Sequence, residues 1–519
     1  MIDLTPANLM EVRRTSAAFR DVSIWLEEAV FGHRIWYRQT PWLIFLEFLN
    51  VAEAFHREGG FLAPTIPGSS YPYSLRFRMG LRHVLFNSGD VARIAARNTD
   101  HASAWREWLE GMEDVEGMPP NGFGYLQERF RDFGHFASLV ALVRQTSIES
   151  GLNKRWSSRF IFPLGTAGLY SDATFERGRV TRDYTVFGRT GELVYLMLSR
   201  ARRAADLRSR FDGFFDPGDP KHRLVSLLCA PTDERPDRPE GGQMFLPYVS
   251  HPAFDRLAED WLAVLDLSLP ERDAFAHLAP LAALHVMIYQ LETAAALASA
   301  PRPTFVCEMI SPRRELVRQR SVASFLGNDA LLRRGVGAHL ADRLAHWLPG
   351  LDEVDPDERL EEMKEMLKEK FAYSPKEANA RTIEQLRAGL DAAVDAKLDQ
   401  NGGLVHLSYG RNVGLVSSRG TNRNRYAPTD ALLKTFVLAR VPVRLEFGKF
   451  LAGLYEFYGL VIGPVEAERA LNPEGYDLSS FERNRERLEA RLASMGLLNR
   501  LSDGCAYVVN PFARRMARP

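Results

Sequence analysis

The chain has 519 residues, 45% hydrophobic and 25% charged, which excludes wholesale disorder and a single small core; two to four domains are expected. Lys+Arg and Asp+Glu both number 66, so there is no global field to attract nucleic acid or an anionic membrane, and any such binding must come from local asymmetry. Three scattered cysteines, Cys229, Cys307 and Cys505, suggest no disulfide framework and fit a reducing compartment.

The first residues, Met1 to Pro6, lack the basic and apolar regions of a signal peptide. There is no run of about 18 apolar residues, so no transmembrane helix is predicted. The expectation is a soluble, cytoplasmic protein without membrane contact. Residues 42–55 are the most apolar early stretch, but Glu47, Asn50 and Glu53 interrupt it, which predicts a buried amphipathic helix.

Residues 1–155 form an aromatic-rich helical segment, with Trp25, Trp36, Trp42, Trp105 and Trp108 inside it and Trp156 at its edge; these rings are expected in the core. Residues 156–350 form a middle domain of helices with a small β element. Phe160 to Pro163 and residues 180–187 suggest that element, punctuated by Gly165, Gly168 and Gly178. Thr190 is then the expected N-cap of a helix running to Arg210. Arg200, Arg202, Arg203, Arg208 and Arg210 predict a solvated face on that helix. Residues 216–243, rich in Pro, Gly, Asp and Arg, predict a long loop. His277 and His285 share a helix and are expected as core or boundary residues, since no third metal ligand accompanies them.

Residues 351–400 form a charged helical linker. Residues 351–377 alone hold ten acidic and five basic side chains, which suits an exposed helix. From 401 to 519 the signals converge on a C-terminal module. Thr429 or Asp430 caps a first helix that Pro442 ends, and Phe447, Phe450, Leu451, Leu454 and Phe457 face one way on a second that Gly459 closes. After a connector over 464–476 comes a third helix ending at Gly496. Asp503-Gly504 then turns a hairpin. Three helices followed by a hairpin is the winged-helix order. The predicted fold class is therefore mainly α with small β elements, multi-domain, with a C-terminal winged-helix-like module.

Residues 401–519 carry 17 Lys+Arg against 11 Asp+Glu, a local excess of six positive charges in a neutral chain. Arg483, Arg485, Arg487 and Arg491 on the third helix could meet phosphates or guanine edges, although Glu482, Glu486 and Glu489 are interleaved and could pair with them. The stretch from Tyr409 to Tyr426 has Arg411, Arg419, Arg423 and Arg425 and no acidic residue, a composition suited to a phosphate backbone or a single strand. These eight arginines are the predicted nucleic-acid contacts. Exposed basic loop and solvated helix are the competing readings.

Known catalytic motifs are missing: no P-loop, no dinucleotide fingerprint around Gly335-Val336-Gly337, no H-E-x-x-H, no G-x-S-x-G and no kinase signature set. Catalytic residues, cofactors and metal ligands are accordingly not predicted. Two carboxylate–lysine groupings leave a divergent metal-dependent nuclease as an alternative: Asp216, Asp219 and Lys221, and Glu446 with Lys449.

Phe187-Gly188-Arg189-Thr190-Gly191-Glu192, Leu246-Pro247-Tyr248, His251-Pro252-Ala253-Phe254-Asp255, Asp260-Trp261 and the helix after Leu278 come together with the C-terminal module. In these pieces, roughly half the chain, the sequence resembles accessory proteins encoded beside a large ATPase in bacterial anti-phage defence loci of the phosphorothioation-dependent or methylation-associated kind. The resemblance implies a non-catalytic subunit that helps an ATPase or nuclease partner engage DNA, and it brings no active-site residues. A protein-binding scaffold using the same module is the other reading; it requires paired charge around the third helix and exposed apolar surface nearby.

Overall fold

The computed structural model describes residues 2, 4, 8, 27, 29–32, 35–65, 71, 73–74, 76–86, 91–113, 122–148, 161–169, 173–176, 179–182, 189–216, 218–231, 235–236, 245–309, 316–347, 355–374, 381–419, 423–471, 477–502 and 505–513. Trp25, Trp156, Phe160, residues 183–187 and the Asp503-Gly504 turn, all singled out above, lie outside them. Among the described residues the fold is mainly helical, with five small strand groupings of two or three strands, one of them β1 Arg76–Phe77 with β4 Arg235–Pro236.

Helix α1, Pro41–Arg57, starts at Thr40, whose hydroxyl accepts from Leu43 N at 3.3 Å, and Pro41 occupies the first helical position. It is buried from Leu43 to Phe55, its polar residues included. Five helices follow: α2 Met79–Phe86, α3 Val91–Arg97, α4 His101–Glu110, α5 Gly124–Arg129 and α6 Phe133–Gln145. They enclose a satellite core in which Trp105 and Trp108 each pack 5.0 Å from Phe136. Those two tryptophans are core residues, as their spacing predicts.

The β element of the middle segment is a hairpin, β2 Ala173–Glu176 with β3 Arg179–Arg182. The helix predicted from Thr190 to Arg210 is two helices, α7 Thr190–Ser199 and α8 Ala204–Phe215. Thr190 does not cap α7. Arg189 holds the cap position with φ +68°, and the cap is a carboxylate from another element: Glu47 of α1 accepts from Arg189 N at 2.9 Å and Gly191 N at 2.7 Å. α1 and α7 cross so closely that a Cβ on Gly191 would sit 2.5 Å from Phe48 N. Gly191→Ala is expected to force the helices apart and cost about 3 kcal/mol, read from the urea midpoint; an unchanged midpoint would contradict the close crossing.

Of the five arginines after Ser199, Arg202, Arg203 and Arg210 are exposed as the sequence predicts, and Arg200 and Arg208 are half-buried. Arg200 donates to the carbonyls of Leu246 and Tyr248, and Arg208 to those of Phe61 and Leu62. Arg202 pairs with Asp255, Arg203 with Asp206 and Arg210 with Asp266. The loop predicted over 216–243 contains helix α9, Pro220–Ser226.

Helix α10, Pro252–Leu265, begins at His251, whose Nδ1 accepts from Ala253 N at 3.0 Å. Helix α11, Glu271–Leu297, is long and apolar enough to cross a membrane, and most of its apolar stretch is buried within the fold. It packs against α1, α10 and α12, Leu316–Trp347. At the last crossing, a Cβ on Gly335 would meet Ala294 O at 2.3 Å. The acidic helix α13, Pro356–Phe371, buries Met363, Leu367 and Phe371 in the main core, so one face is packed and not solvated as its charge predicts. Helix α14, Ile383–Gln400, leads to Asn401, whose side-chain amide is buried against Glu27.

Helices α15 Val405–Asn412, α16 Asp430–Arg440 and α17 Phe447–Tyr458 come next. The predicted caps stand: Thr429 Oγ1 accepts from Leu432 N at 3.3 Å, and Gly459 closes α17 with φ +82°. The connector over 464–476 holds an unforeseen short helix, α18 Pro464–Ala470, before α19 Leu478–Ser494. The terminal hairpin, β10 Leu498–Ser502 with β11 Cys505–Val509, is joined by β8 Arg444–Glu446, giving an antiparallel sheet in the order β10-β11-β8. The main core is continuous from Val30 to Val508, and side chains from all four sequence segments meet in it. Parallel strands β5 Phe305–Val306 and β9 Leu460–Val461 also tie the middle of the chain to its end.

Candidate nucleic-acid interface

Helix α15 stops at Gly414, φ +83°, with Leu415 N–H reaching back to Gly410 O at 2.8 Å, a left-handed helix ending that only glycine adopts freely. The chain then folds into a hairpin of β6 Val416–Ser417 and β7 Arg425–Tyr426. Its root is anchored in the body. Tyr426 is fully buried against Phe305, Phe325 and His406, and Asn328 Nδ2 donates to its hydroxyl at 2.9 Å. Ser321 Oγ bonds both the Tyr426 carbonyl and its N–H. Burial raises the phenol well above its ordinary range.

This geometry sorts the predicted arginines. Arg425 is turned inward: it pairs with buried Glu308, which also holds Arg318, and its Nη2 donates to Arg419 O at 3.1 Å. It closes the loop from within and is not placed to meet a phosphate. Arg411, Arg419 and Arg423 are exposed. Arg411 donates to Asn424 Oδ1 at 2.9 Å and Ser418 Oγ at 3.3 Å, which braces one strand against the helix end. Arg419 engages protein through its backbone, N–H to Ser417 Oγ at 3.2 Å. The loop tip, 420–422, lies outside the described residues.

On α19 the arginines are largely committed elsewhere. Arg491 pairs with Asp430 and donates to Pro428 O at 3.0 Å and Met309 O at 3.2 Å, so it fastens α19 to the body. Arg485 pairs with Glu482 of its own helix, as the interleaved glutamates allow. Arg483 is exposed and bonds Ser480 Oγ at 3.1 Å, and Arg487 is half-buried. Asn484, fully buried, donates to Cys307 O and Ile462 O at 2.9 Å each and accepts from Met309 N at 2.9 Å. Asn484 is not among the predicted residues, although an asparagine on the inner face of an amphipathic helix is the available signal.

Among the described residues no set of three or more His, Cys, Asp or Glu converges as a metal site. Asp216 Oδ1 accepts from Gly218 N at 2.8 Å, closing its own turn, and Glu446 and Lys449 are exposed neighbours 4.0 Å apart. Cys229 and Cys307 are buried thiols outside any disulfide, and burial pushes the Cys307 thiol up. His285 is a core residue, and Asp260 accepts from it at 2.7 Å. Compared with family models, curated proteins and solved structures, the chain matches none of them.

Proposed function

We propose that the chain is a non-catalytic subunit that holds nucleic acid on the hairpin between α15 and α16 and meets a protein partner through residues 430–509. The observation that carries this is the acid-free hairpin with Arg411, Arg419 and Arg423 exposed on a root locked into the core. A sequence-blind cationic ridge on an anchored root suits a phosphate backbone. As in the sequence resemblance, the setting proposed is an anti-phage defence complex in the cytoplasm, beside an ATPase.

For residues 430–509 the reading is a winged helix. The order α16, β8, α17, α19, β10, β11, with β9 and the short α18 inserted between α17 and α19, supports it, as does a sheet in which β11 lies between β10 and β8. Two features favour protein over DNA for its α19 face. Arg485 and Arg491 are paired with carboxylates, and among the described residues four of the nine exposed large apolar side chains fall within 430–509: Val443, Val465, Leu478 and Leu501.

The test is an anisotropy titration of labelled duplex and single strand at about 50 and about 200 mM salt. The triple variant Arg411→Ala, Arg419→Ala, Arg423→Ala should flatten the log–log salt slope by about two to three. Binding that ignores both salt and these substitutions would refute the hairpin as the contact. Arg425→Ala, by contrast, should lower stability by stranding Glu308 between fewer partners.

A further inference from the structure

A cleft lies at the foot of the hairpin. It encloses about 750 Å³ between the first turn of α1, the N-terminal half of α11, the end of α15, the start of α16 and Phe512. Trp42 and Phe512, both half-buried, are among its lining residues. The volume lies within the range of small-molecule sites, and the Lys434 ammonium lies over the Phe512 ring, 5.4 Å from its centroid.

The polar groups divide by element. Acceptors come from α11. Thr435 Oγ1 donates to Ala431 O at 3.0 Å, so it must accept from His277 Nδ1 at 2.8 Å. That fixes the tautomer: Nδ1 carries the proton, and the Nε2 lone pair is left for the cleft. Burial, with Lys434 adding to it, holds His277 down to about 4, so the ring stays neutral. One turn earlier on α11 is Asp273. Pro280, inside the helix, has no N–H to close the helical bond to Ala276 O, and both residues line the cleft. Donors come from the other elements: the Lys434 ammonium on α16, the Asn412 amide on α15, and Trp42 N–H, which in the first turn of α1 has no partner within the helix.

We infer that this cleft is a nucleobase site, and that guanine fits it best. Guanine carries adjacent N1–H and N2–H donors for the α11 acceptors, and O6 and N7 acceptors for the donors opposite them in chemistry. Asp273 and Lys434 cancel in charge, which suits a neutral heterocycle over a free polyphosphate. The cleft and the hairpin share a root, because Thr429 N–H bonds Gly414 O at 2.8 Å while Asn412 and Ala431 line the cleft on either side of that pair. A base turned out of a strand lying on Arg411 and Arg419 would have a place to go. Only this strand-borne source rests on the proposed function; a free nucleoside does not need it.

The experiment is calorimetric titration of the full chain with guanosine, adenosine and uridine, and with an oligo-dT strand with or without one central dG. Guanosine should saturate at sub-millimolar to low-millimolar concentration and bind about tenfold tighter than uridine. Asp273→Asn and His277→Leu should each weaken guanosine about tenfold. Asp273 is exposed, so its variant tests the site without threatening the fold. The hairpin triple variant should keep guanosine binding and lose the strand. Guanosine binding that persists when strand binding ignores the hairpin arginines upholds the cleft and sinks the hairpin. No saturation by any nucleoside, or guanosine binding untouched by both cleft variants, overturns the inference.

Discussion

Asp260→Ala is expected to destabilise the protein by about 3–5 kcal/mol, because it removes the one acceptor of a buried cluster and strands its donors. Asp260 and His285 are fully buried. Tyr458 Oη donates to Asp260 Oδ2 at 2.6 Å, His285 Nε2 to the same oxygen at 2.7 Å, and Arg440 Nη1 to Oδ1 at 3.4 Å. These four residues come from α10, α11, α17 and α16, so the cluster stitches the body to the C-terminal unit. Burial lowers the His285 pKa and raises that of Tyr458, and both therefore act as neutral donors. Tyr458→Phe removes one donor and leaves the carboxylate two others, so it should cost only about 1–2 kcal/mol. Urea unfolding of the three proteins measures this ordering. If alanine at 260 proved no worse than phenylalanine at 458, the cluster would not be acting as a unit.

Stability should also fall steeply between pH 6.5 and 4. His251 is held down to about 3 by burial and His339 to about 4, also by burial with Arg343 adding to it. Burial likewise lowers His285 and His406. In the unfolded chain each takes up a proton near its ordinary value of 6.5. The folded state therefore binds fewer protons, its stabilisation is complete above 6.5, and it is lost as pH falls toward the folded values. At pH 5 His251 and His339 together should cost about 4 kcal/mol, a large part of an ordinary folding free energy. Thermal unfolding scanned from pH 7.5 to 5 reads this directly. His339→Leu should flatten the decline, and a flat profile in the parent protein would show that these rings protonate without opening the fold.

Much of the local structure was legible because its causes lie within a few residues. The Thr429 cap, the Gly459 stop, the apolar stripe of α17 and the Trp105–Trp108 core follow from helical spacing and cap chemistry. The acid-free run that becomes the β6–β7 hairpin was visible as well, because composition alone marks it. The fate of each arginine was not. Arg425 and Arg419 carry the same charge six residues apart, and one is buried on Glu308 while the other is exposed; only the arrival of residue 308 beside β7 separates them. The same holds for α7, which reads as capped by its own Thr190 and is capped by Glu47 from 142 positions away. It holds again for the cleft, whose walls come from α1, α11, α15 and α16. Helix propensity, caps and turn glycines act over one or two turns of chain, so sequence alone determined most of the elements, though not the short α9 and α18 or the break between α7 and α8. Buried ion pairs, long-range caps and cavity walls depend on which element packs against which, so tertiary structure alone decided which charges remain for a partner.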